Sequence, residues 1–489
     1  MHELSARRQL IFAALLGAAT VLGFAPFYVY PIPVATIACL FLLWQRCTTA
    51  KQAAWLGLAF GLGFFNTGIY WIYISLHDFG GMPWWMATLA TFALNAFLAL
   101  FPAMVGWLSK RNRYLLATAP LLWVFSEWVR SWIFTGFPWL AVGYSQVPYS
   151  PLAGFAPVFG IYGVSLIVVA ASSAIVFWSK ARLRLVLFLL TLWVAGSLLK
   201  HVEWSEPYHE PISVALLQGN IAQDMKWLPE TTRQTLDQYL TMALDSQARL
   251  IVMPETALPV LVQQLPAQYI EQLRQHALQQ HGDILLGVVE KENDDHYYNS
   301  MLSIGSAATQ VYRKSHLVPF GEFIPLKSIF GWIYRDWLNI PLTDLSRGDT
   351  QQKPLNLAGQ QIAINICYED VFGEEVIRQL PQATLLVNAS NDAWYGNSLA
   401  ADQHMQMSQA RAMETARMVI RSTNTGATVV INRDGRVLAA LPHFTTSALT
   451  AQVQGYTGTT PYIGWGNWPV ICFILLSLGI LWSRKRTQD

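Results

Sequence analysis

The sequence predicts an α-helical polytopic membrane domain of about eight spans, joined to an external α/β or α+β layered domain. Three observations predict it. Long apolar runs fill residues 1–200 and return once near the C-terminus. Lys and Arg cluster in alternate loops only. Residues 201–460 then change to short β-rich runs alternating with helical ones.

Composition agrees. Hydrophobic residues make up 53% and charged residues 13%, with 20 Trp and a mean hydropathy of +0.30; a typical soluble chain carries about 25% charged residues. A disordered, collagen-like or nucleic-acid-coating protein would need the opposite balance, so no nucleic-acid partner is expected. The net charge of +2 conceals a division. Residues 1–200 and 461–489 together hold 15 Lys and Arg against 4 Asp and Glu, whereas residues 201–460 hold 17 against 26. The two regions face different solvents.

The apolar runs are Leu10–Ala25, Ile32–Trp44, Ala53–Leu76, Trp84–Leu108, Leu115–Phe134, Val158–Trp178, Leu183–Leu199 and Trp468–Trp482. Most reach the roughly 17–25 residues a bilayer-crossing helix needs, and Ile32–Trp44 is short. Without water to bond the backbone, each must be helical. Arg7 and Arg8 precede the first run, and Arg46 and Lys51 follow the second. Lys110, Arg111 and Arg113 follow the fourth, Lys180, Arg182 and Arg184 the sixth, and Arg484, Lys485 and Arg486 the eighth. The alternate connections Pro26–Pro31, His77–Pro83 and Thr135–Pro157 contain neither Lys nor Arg. This asymmetry places both termini in the cytoplasm and residues 201–460 outside. The first run is read as a retained helix, because the chain turns through Phe24-Ala25-Pro26 into a second. The expected domains are therefore 1–200 with about seven spans, 201–460 outside, and 461–489 as a last span with a basic cytoplasmic tail. Glu127 and Arg130, three apart in the fifth run, share a helix face. They read either as a functional pair or as a structural ion pair near the outer end of that helix.

In the external domain, Ile212–Ile221, Leu250–Met253, Asp283–Val289, Ser300–Ile304, Thr309–Tyr312, Gln361–Ile366 and Thr384–Val387 read as strands. Pro229–Gln247, Pro266–Gln280, Phe372–Gln379 and Ala401–Met418 read as helices. Val419–Asn432 and Arg436–Leu441 read as a strand pair turned by Asp434-Gly435.

Cys367 is the one cysteine of this domain; Cys39, Cys47 and Cys472 lie in or beside the apolar runs. A solitary thiol in an oxidising space is either buried and inert or a nucleophile. Its setting favours the nucleophile. The strand Ile362–Ile366 runs into Cys367-Tyr368-Glu369-Asp370 before a helix, and such an elbow exposes a side chain and aims backbone N–H groups at it. Glu255 follows the strand Leu250–Met253, and Lys314 follows Val311–Arg313. A carboxylate to take the thiol proton and an ammonium to stabilise thiolate and oxyanion complete an acyl-transfer set. Alone, each has a plain reading: a turn glutamate, a solvated lysine, an inert cysteine. His316 reads as packing or as support for the site rather than as catalytic. No zinc spacing, P-loop or dinucleotide fingerprint is present, so neither metal nor organic cofactor is expected.

Four stretches carry a resemblance to a known family: Met253–Ala257, Tyr312–Glu322, Ile366–Asp370 and Asn388–Gly396. Thr135–Trp139 and Gly466–Pro469 extend it into the apolar parts. On these the chain resembles the carbon–nitrogen hydrolase (nitrilase) superfamily, specifically its membrane-embedded apolipoprotein N-acyltransferase branch. The resemblance implies a nitrilase-like αββα sandwich with a Glu255–Lys314–Cys367 triad. It makes Glu322 a supporting glutamate and places Tyr368 and Glu369 beside the nucleophile as supporting or oxyanion residues. Trp227 and Trp394 become substrate contacts, Trp227 at the entrance. The implied reaction moves an acyl chain from a phospholipid, usually the sn-1 chain of phosphatidylethanolamine, to Cys367. The α-amine of the S-diacylglyceryl-cysteine of an apolipoprotein then takes it, the last step of lipoprotein maturation.

The implied setting is the bacterial inner membrane, with a periplasmic catalytic domain and a monomeric chain. Ping-pong kinetics follow from the thioester. Exclusion of water from it is expected from apolar walls, with Phe323–Leu345 as a mobile arm or else a core-packed helical excursion: Phe323, Ile324, Leu326, Phe330, Trp332, Ile333, Tyr334, Trp337 and Leu338. The alternative is a membrane-tethered nitrilase-type amidase. A transporter with a decorative external domain would need more mid-membrane polar residues than Glu127 and Arg130.

Overall fold

The computed structural model describes residues 5–293, 296–324 and 344–486. It divides into two compact units, one formed by residues 1–73, 84–202 and 464–489, the other by 74–83 and 203–463.

All eight apolar runs of the sequence are largely helical, with Leu115–Phe134 leaving its helix after Arg130 and Ala53–Leu76 broken after Gly68. In the first unit these are α1 (Ala6–Thr20), α2 (Pro31–Arg46), α3 (Ala50–Gly68), α4 (Trp71–Ile74), α5 (Trp84–Lys110), α6 (Leu115–Arg130), α7 (Ala156–Val176) and α8 (Trp178–Leu199), with a last helix over Trp468–Arg486. By length and apolarity alone, the described helices do not reach the expected count of about eight spans. Among the described residues four helices are long and apolar enough to cross a bilayer, or five if the pair bent by 50° at Ala50–Gly68 and Trp71–Phe79 is one span. The reason is length: α2 and α6 have 16 residues each, about 24 Å of helix against a hydrocarbon core of about 30 Å. Inside α6, Glu127 Oε1 accepts from the Trp123 indole and from Val142 N, both at 2.9 Å. The Arg130 guanidinium lies 5.1 Å from the centre of the Phe65 ring. Glu127 therefore ties its own helix to the Val142 turn.

The second unit contains two six-stranded sheets. The first has the order β12-β1-β2-β3-β4-β5 and the second β11-β10-β9-β8-β7-β6. Their strands are β1 (Ser205–Gln218), β2 (Leu250–Val252), β3 (Asp283–Asn293), β4 (His296–Gly305), β5 (Val311–Arg313), β6 (Leu355–Leu357), β7 (Gln360–Ile366), β8 (Leu385–Ser390), β9 (Val419–Thr423), β10 (Val429–Ile431), β11 (Val437–Ala440) and β12 (Ser447–Gly458). The central trios β1-β2-β3 and β7-β8-β9 are parallel, and the flanking pairs antiparallel.

Side-chain alternation explains the layering. Leu216, Val252, Leu285, Ile364, Ile366 and Val387 meet between the sheets. The intervening Ala215, Leu217, Ile251 and Met253 turn outward onto α9 (Pro229–Leu244) and α10 (Ala267–Gln279), through Tyr239 and Leu273. Ala363 and Leu386 pack against Ala412 of α11 (Ala400–Thr415) on the far side. The result is an αββα sandwich.

The expected strand over Val419–Asn432 is two strands, β9 and β10, broken after Thr423 where Thr423 N donates to the Thr428 hydroxyl. Two further strands escape the sequence pattern. β6 has three residues, and β12 is an edge strand whose Gln452, Gln454 and Thr457 mask its alternation. Residues Ile74–Pro83, expected as the end of the third apolar run and the connection His77–Pro83 of the membrane domain, belong to the second unit. There Ser75 Oγ donates to the Trp394 carbonyl at 2.7 Å. The expected arm lies outside the described residues from 325 to 343. Its feet are defined: Leu345 N donates to the Glu322 carbonyl at 2.8 Å.

Candidate active site

The C-terminal ends of β2, β5 and β7 deliver the three candidate side chains to one place. Glu255 sits in the turn after β2, where Thr256 adopts a left-handed φ of 44°. Such a conformation is strained for a β-branched residue. The turn fits because Gly287 on β3 has no side chain; a Cβ there would stand 1.9 Å from the Pro254 carbonyl oxygen.

Glu255 is 7% exposed and Lys314 1%. Glu255 Oε1 accepts from Lys314 Nζ at 3.1 Å and from Asn299 Nδ2 at 2.7 Å, and Oε2 accepts from Asn391 N at 3.0 Å. Lys314 also donates to Glu322 Oε1 at 2.9 Å. Glu322 accepts further bonds from Asn299 Nδ2 at 3.0 Å and Val318 N at 2.8 Å. Burial pushes the Glu255 carboxyl up, but Lys314, Lys226 and the Asn299 amide together hold it below the usual carboxylate range. Burial likewise pulls Lys314 down, and Glu255, Glu322 and Cys367 more than restore it, so the ammonium stays charged.

Cys367 is 7% exposed with a left-handed φ of 53°. That places it at a strained elbow after β7. Its carbonyl oxygen accepts from Asn388 Nδ2 at 3.0 Å and lies 3.2 Å from His404 Nε2. The carbonyl of Cys367 and the N–H of Tyr368 occupy opposite edges of one planar peptide. Clamping the first therefore fixes the direction of the second. Burial and the Glu255 charge push the thiol up, against the pull of Lys314 and the Ser390 hydroxyl. The resting group is a thiol beside a carboxylate, which suits proton removal during attack.

Glu369 turns away from the thiol. Its Oε1 accepts from Ser315 N at 2.6 Å, the Ser315 hydroxyl at 2.9 Å and His316 N at 3.1 Å; its Oε2 accepts from Ile366 N at 2.7 Å and the Tyr312 hydroxyl at 3.0 Å. It staples the lysine segment to the elbow. The Tyr368 ring packs edge-on to His316 and Phe372. His316 stacks on Phe372 at 3.9 Å and lies 3.1 Å from Glu375, in keeping with a packing role. Trp227 and Trp394 are half-buried, on the loop after β1 and the turn after β8. Among the described residues no His, Cys, Asp or Glu group is arranged to hold a metal.

Comparison with known proteins decides the family. The profile described as "Apolipoprotein N-acyltransferase N-terminal domain" matches residues 16–174, and "Carbon-nitrogen hydrolase" matches 213–462. The apolipoprotein N-acyltransferase of Nitrosomonas europaea is 52% identical over 98% of this chain and 99% of its own. The chain belongs to the apolipoprotein N-acyltransferase family. Relatives of the same name from Chromobacterium violaceum and Ralstonia nicotianae are 42% and 41% identical, each over 97% of this chain and 94% and 93% of their own. It is thus a membrane acyltransferase carrying a carbon–nitrogen hydrolase domain.

Several site residues of this acyltransferase were not singled out from sequence. Asn299 sits mid-strand in Tyr297-Tyr298-Asn299-Ser300, and a buried amide in such a run was the available signal. Behind the elbow, Arg421 Nη1 meets Asp370 Oδ2 at 3.1 Å and Nη2 meets Asp392 Oδ1 at 3.3 Å. His404 lies 2.7 Å from Asp370, and the Ser408 hydroxyl also donates to that carboxylate. Nothing in local sequence links these distant positions.

Proposed function

We propose that this protein transfers an acyl chain from a membrane phospholipid, with phosphatidylethanolamine as donor, to the α-amine of the N-terminal S-diacylglyceryl-cysteine of apolipoproteins. Glu255, Lys314 and Cys367 form the catalytic triad. The observation that carries the reading is the Glu255–Lys314–Glu322 array at the strand ends, whose buried members Glu255 and Lys314 act by their charges on the Cys367 thiol.

The thiol proton passes to Glu255 as sulfur attacks the ester carbonyl. The Lys314 ammonium and the Tyr368 N–H face the developing oxyanion. Collapse breaks the C–O bond, and the proton on Glu255 goes to the departing lysophospholipid oxygen, leaving a thioester. The acceptor amine attacks that thioester, Glu255 takes its proton, and the thiolate leaves and is reprotonated. Both lipids reside in a membrane. We place the enzyme in the bacterial inner membrane as an eight-span monomer, with both termini cytoplasmic and the catalytic domain periplasmic. Trp227 and Trp394 would contact substrate, Trp227 at the entrance.

Intact-mass measurement after mixing the protein with phosphatidylethanolamine tests this. The expected result is a mass gain of one acyl chain, lost in Cys367→Ala and discharged by a diacylglyceryl-cysteine peptide. An unmodified wild-type protein, or an adduct that survives Cys367→Ala, would overturn it.

A further inference from the structure

One buried charge beside the site has no part in this scheme. Lys226, on the loop between β1 and α9, is 2% exposed, although its neighbours Met225 and Leu228 are 45% exposed. Its Nζ donates to the Thr256 hydroxyl at 2.7 Å and to the Glu255 carbonyl at 3.3 Å. Both acceptors are neutral, and among the described residues the ammonium forms no ion pair. A buried charge without a paired partner is costly, so the fold holds it for a reason other than stability.

Resting on the assignment of Glu255 as base, we propose that Lys226 is a positioning residue for that base: its ammonium holds the Glu255–Thr256 turn and keeps the Glu255 carboxylate ionised. Two observations carry this. The turn is left-handed at a β-branched residue, a conformation that persists only when its surroundings hold it, and Lys226 grips both residues of that turn. The second is charge. Lys314 alone faces the two carboxylates Glu255 and Glu322, and Lys226 makes the buried set two against two. Glu255 is the charged group acting on Lys226, with the titratable Cys367 thiol beside it and Asp392 and Tyr395 facing that thiol. Burial lowers the Lys226 ammonium to about 8, with Glu255 and Cys367 opposing that fall. The loop is docked by a second bond, Asn391 Nδ2 to Gln223 Oε1 at 2.7 Å, while Asn391 N binds Glu255 Oε2.

The test is single-turnover thioester formation on the full-length protein in detergent, read by intact mass across pH with phosphatidylethanolamine. Removing a cation beside Glu255 raises the pH at which the carboxylate ionises. In Lys226→Met the acid limb should therefore move up by about one pH unit, and loss of the grip on the Glu255–Thr256 turn should lower the rate at neutral pH about tenfold, with half-saturating lipid unchanged. Lys226→Arg should return the limb to its wild-type position. Thr256→Val, which keeps the charge and removes one anchor, should slow the reaction without moving the limb. Lys226→Gln carries the same test if the methionine variant does not fold. A wild-type rate and limb in Lys226→Met overturns the proposal while leaving the base assignment intact. So does a slow variant with an unmoved limb that Arg does not rescue. An unaffected Glu255→Gln would instead bring down the base assignment, and this inference with it.

Discussion

The Asn299 side-chain amide donates to Glu255 Oε1 at 2.7 Å, closer than the 3.1 Å from Lys314 Nζ to the same oxygen. The Asn299 carbonyl accepts from Lys314 N at 2.8 Å, so one strand residue fixes both partners of the ion pair. Asn299→Leu should therefore cut thioester formation by about ten- to a hundredfold, since it removes a charge-assisted bond to each glutamate. Half-saturating phospholipid should not change, because no lipid contact is lost. An unaltered single-turnover rate would show that Lys314 orients the base unaided.

Glu369 predicts a different failure. Its five accepted bonds leave no place for an amide hydrogen. Glu369→Gln sets an NH2 group against N–H donors and gives up charge-assisted bonds worth about 1.5–3 kcal/mol each. Loss of thermal stability should accompany slower acylation, because the Ser315 segment that carries Lys314 is released from the elbow. Equal melting temperatures for variant and wild type would contradict the stapling role.

Gly287→Ala tests the close approach behind the base. A Cβ 1.9 Å from the Pro254 oxygen and 2.8 Å from Thr256 N must displace the turn that carries Glu255. Overpacking of this kind costs about 1–3 kcal/mol. Acylation should fall further than the loss of folded protein explains, as measured by single-turnover rate against the fraction folded.

How much of this was legible in the sequence follows from which forces leave a local imprint. Apolar runs and two-residue alternation do: every predicted apolar run is largely helical, and Ile362-Ala363-Ile364 divides its faces between two cores as its period requires. The elbow at Cys367 was legible from an apolar strand ending in a polar turn. Partnerships between distant residues leave no such trace. Asn299 and Glu255 are 44 positions apart, and Lys226 reaches Thr256 across 30. Each reads alone as an ordinary polar residue. The edge strand β12 was hidden because one of its faces is wet and its polar residues dilute the pattern.

The arginine behind the nucleophile predicts a reversal of acid stability. Burial raises the Asp370 and Asp392 carboxyls, yet Arg421 and the bonds from His404 and Ser408 or Ser390 outweigh it and hold both below the ordinary range. Their contribution to stability is therefore complete above the unfolded value of about 3.9 and disappears as pH falls through the lower folded values. Wild-type protein in detergent should melt, by tryptophan fluorescence, at a temperature these groups leave unchanged from pH 7 to 5 and lower below about pH 4. Arg421→Met leaves His404 as the remaining cationic partner of two buried carboxylates, at a cost of about 3–5 kcal/mol at neutral pH. Loss of the guanidinium raises their folded values, so protonation relieves part of the penalty as pH falls. The melting deficit of the variant should shrink between pH 7 and 5, and parallel curves would show that Arg421 does not hold these carboxylates charged.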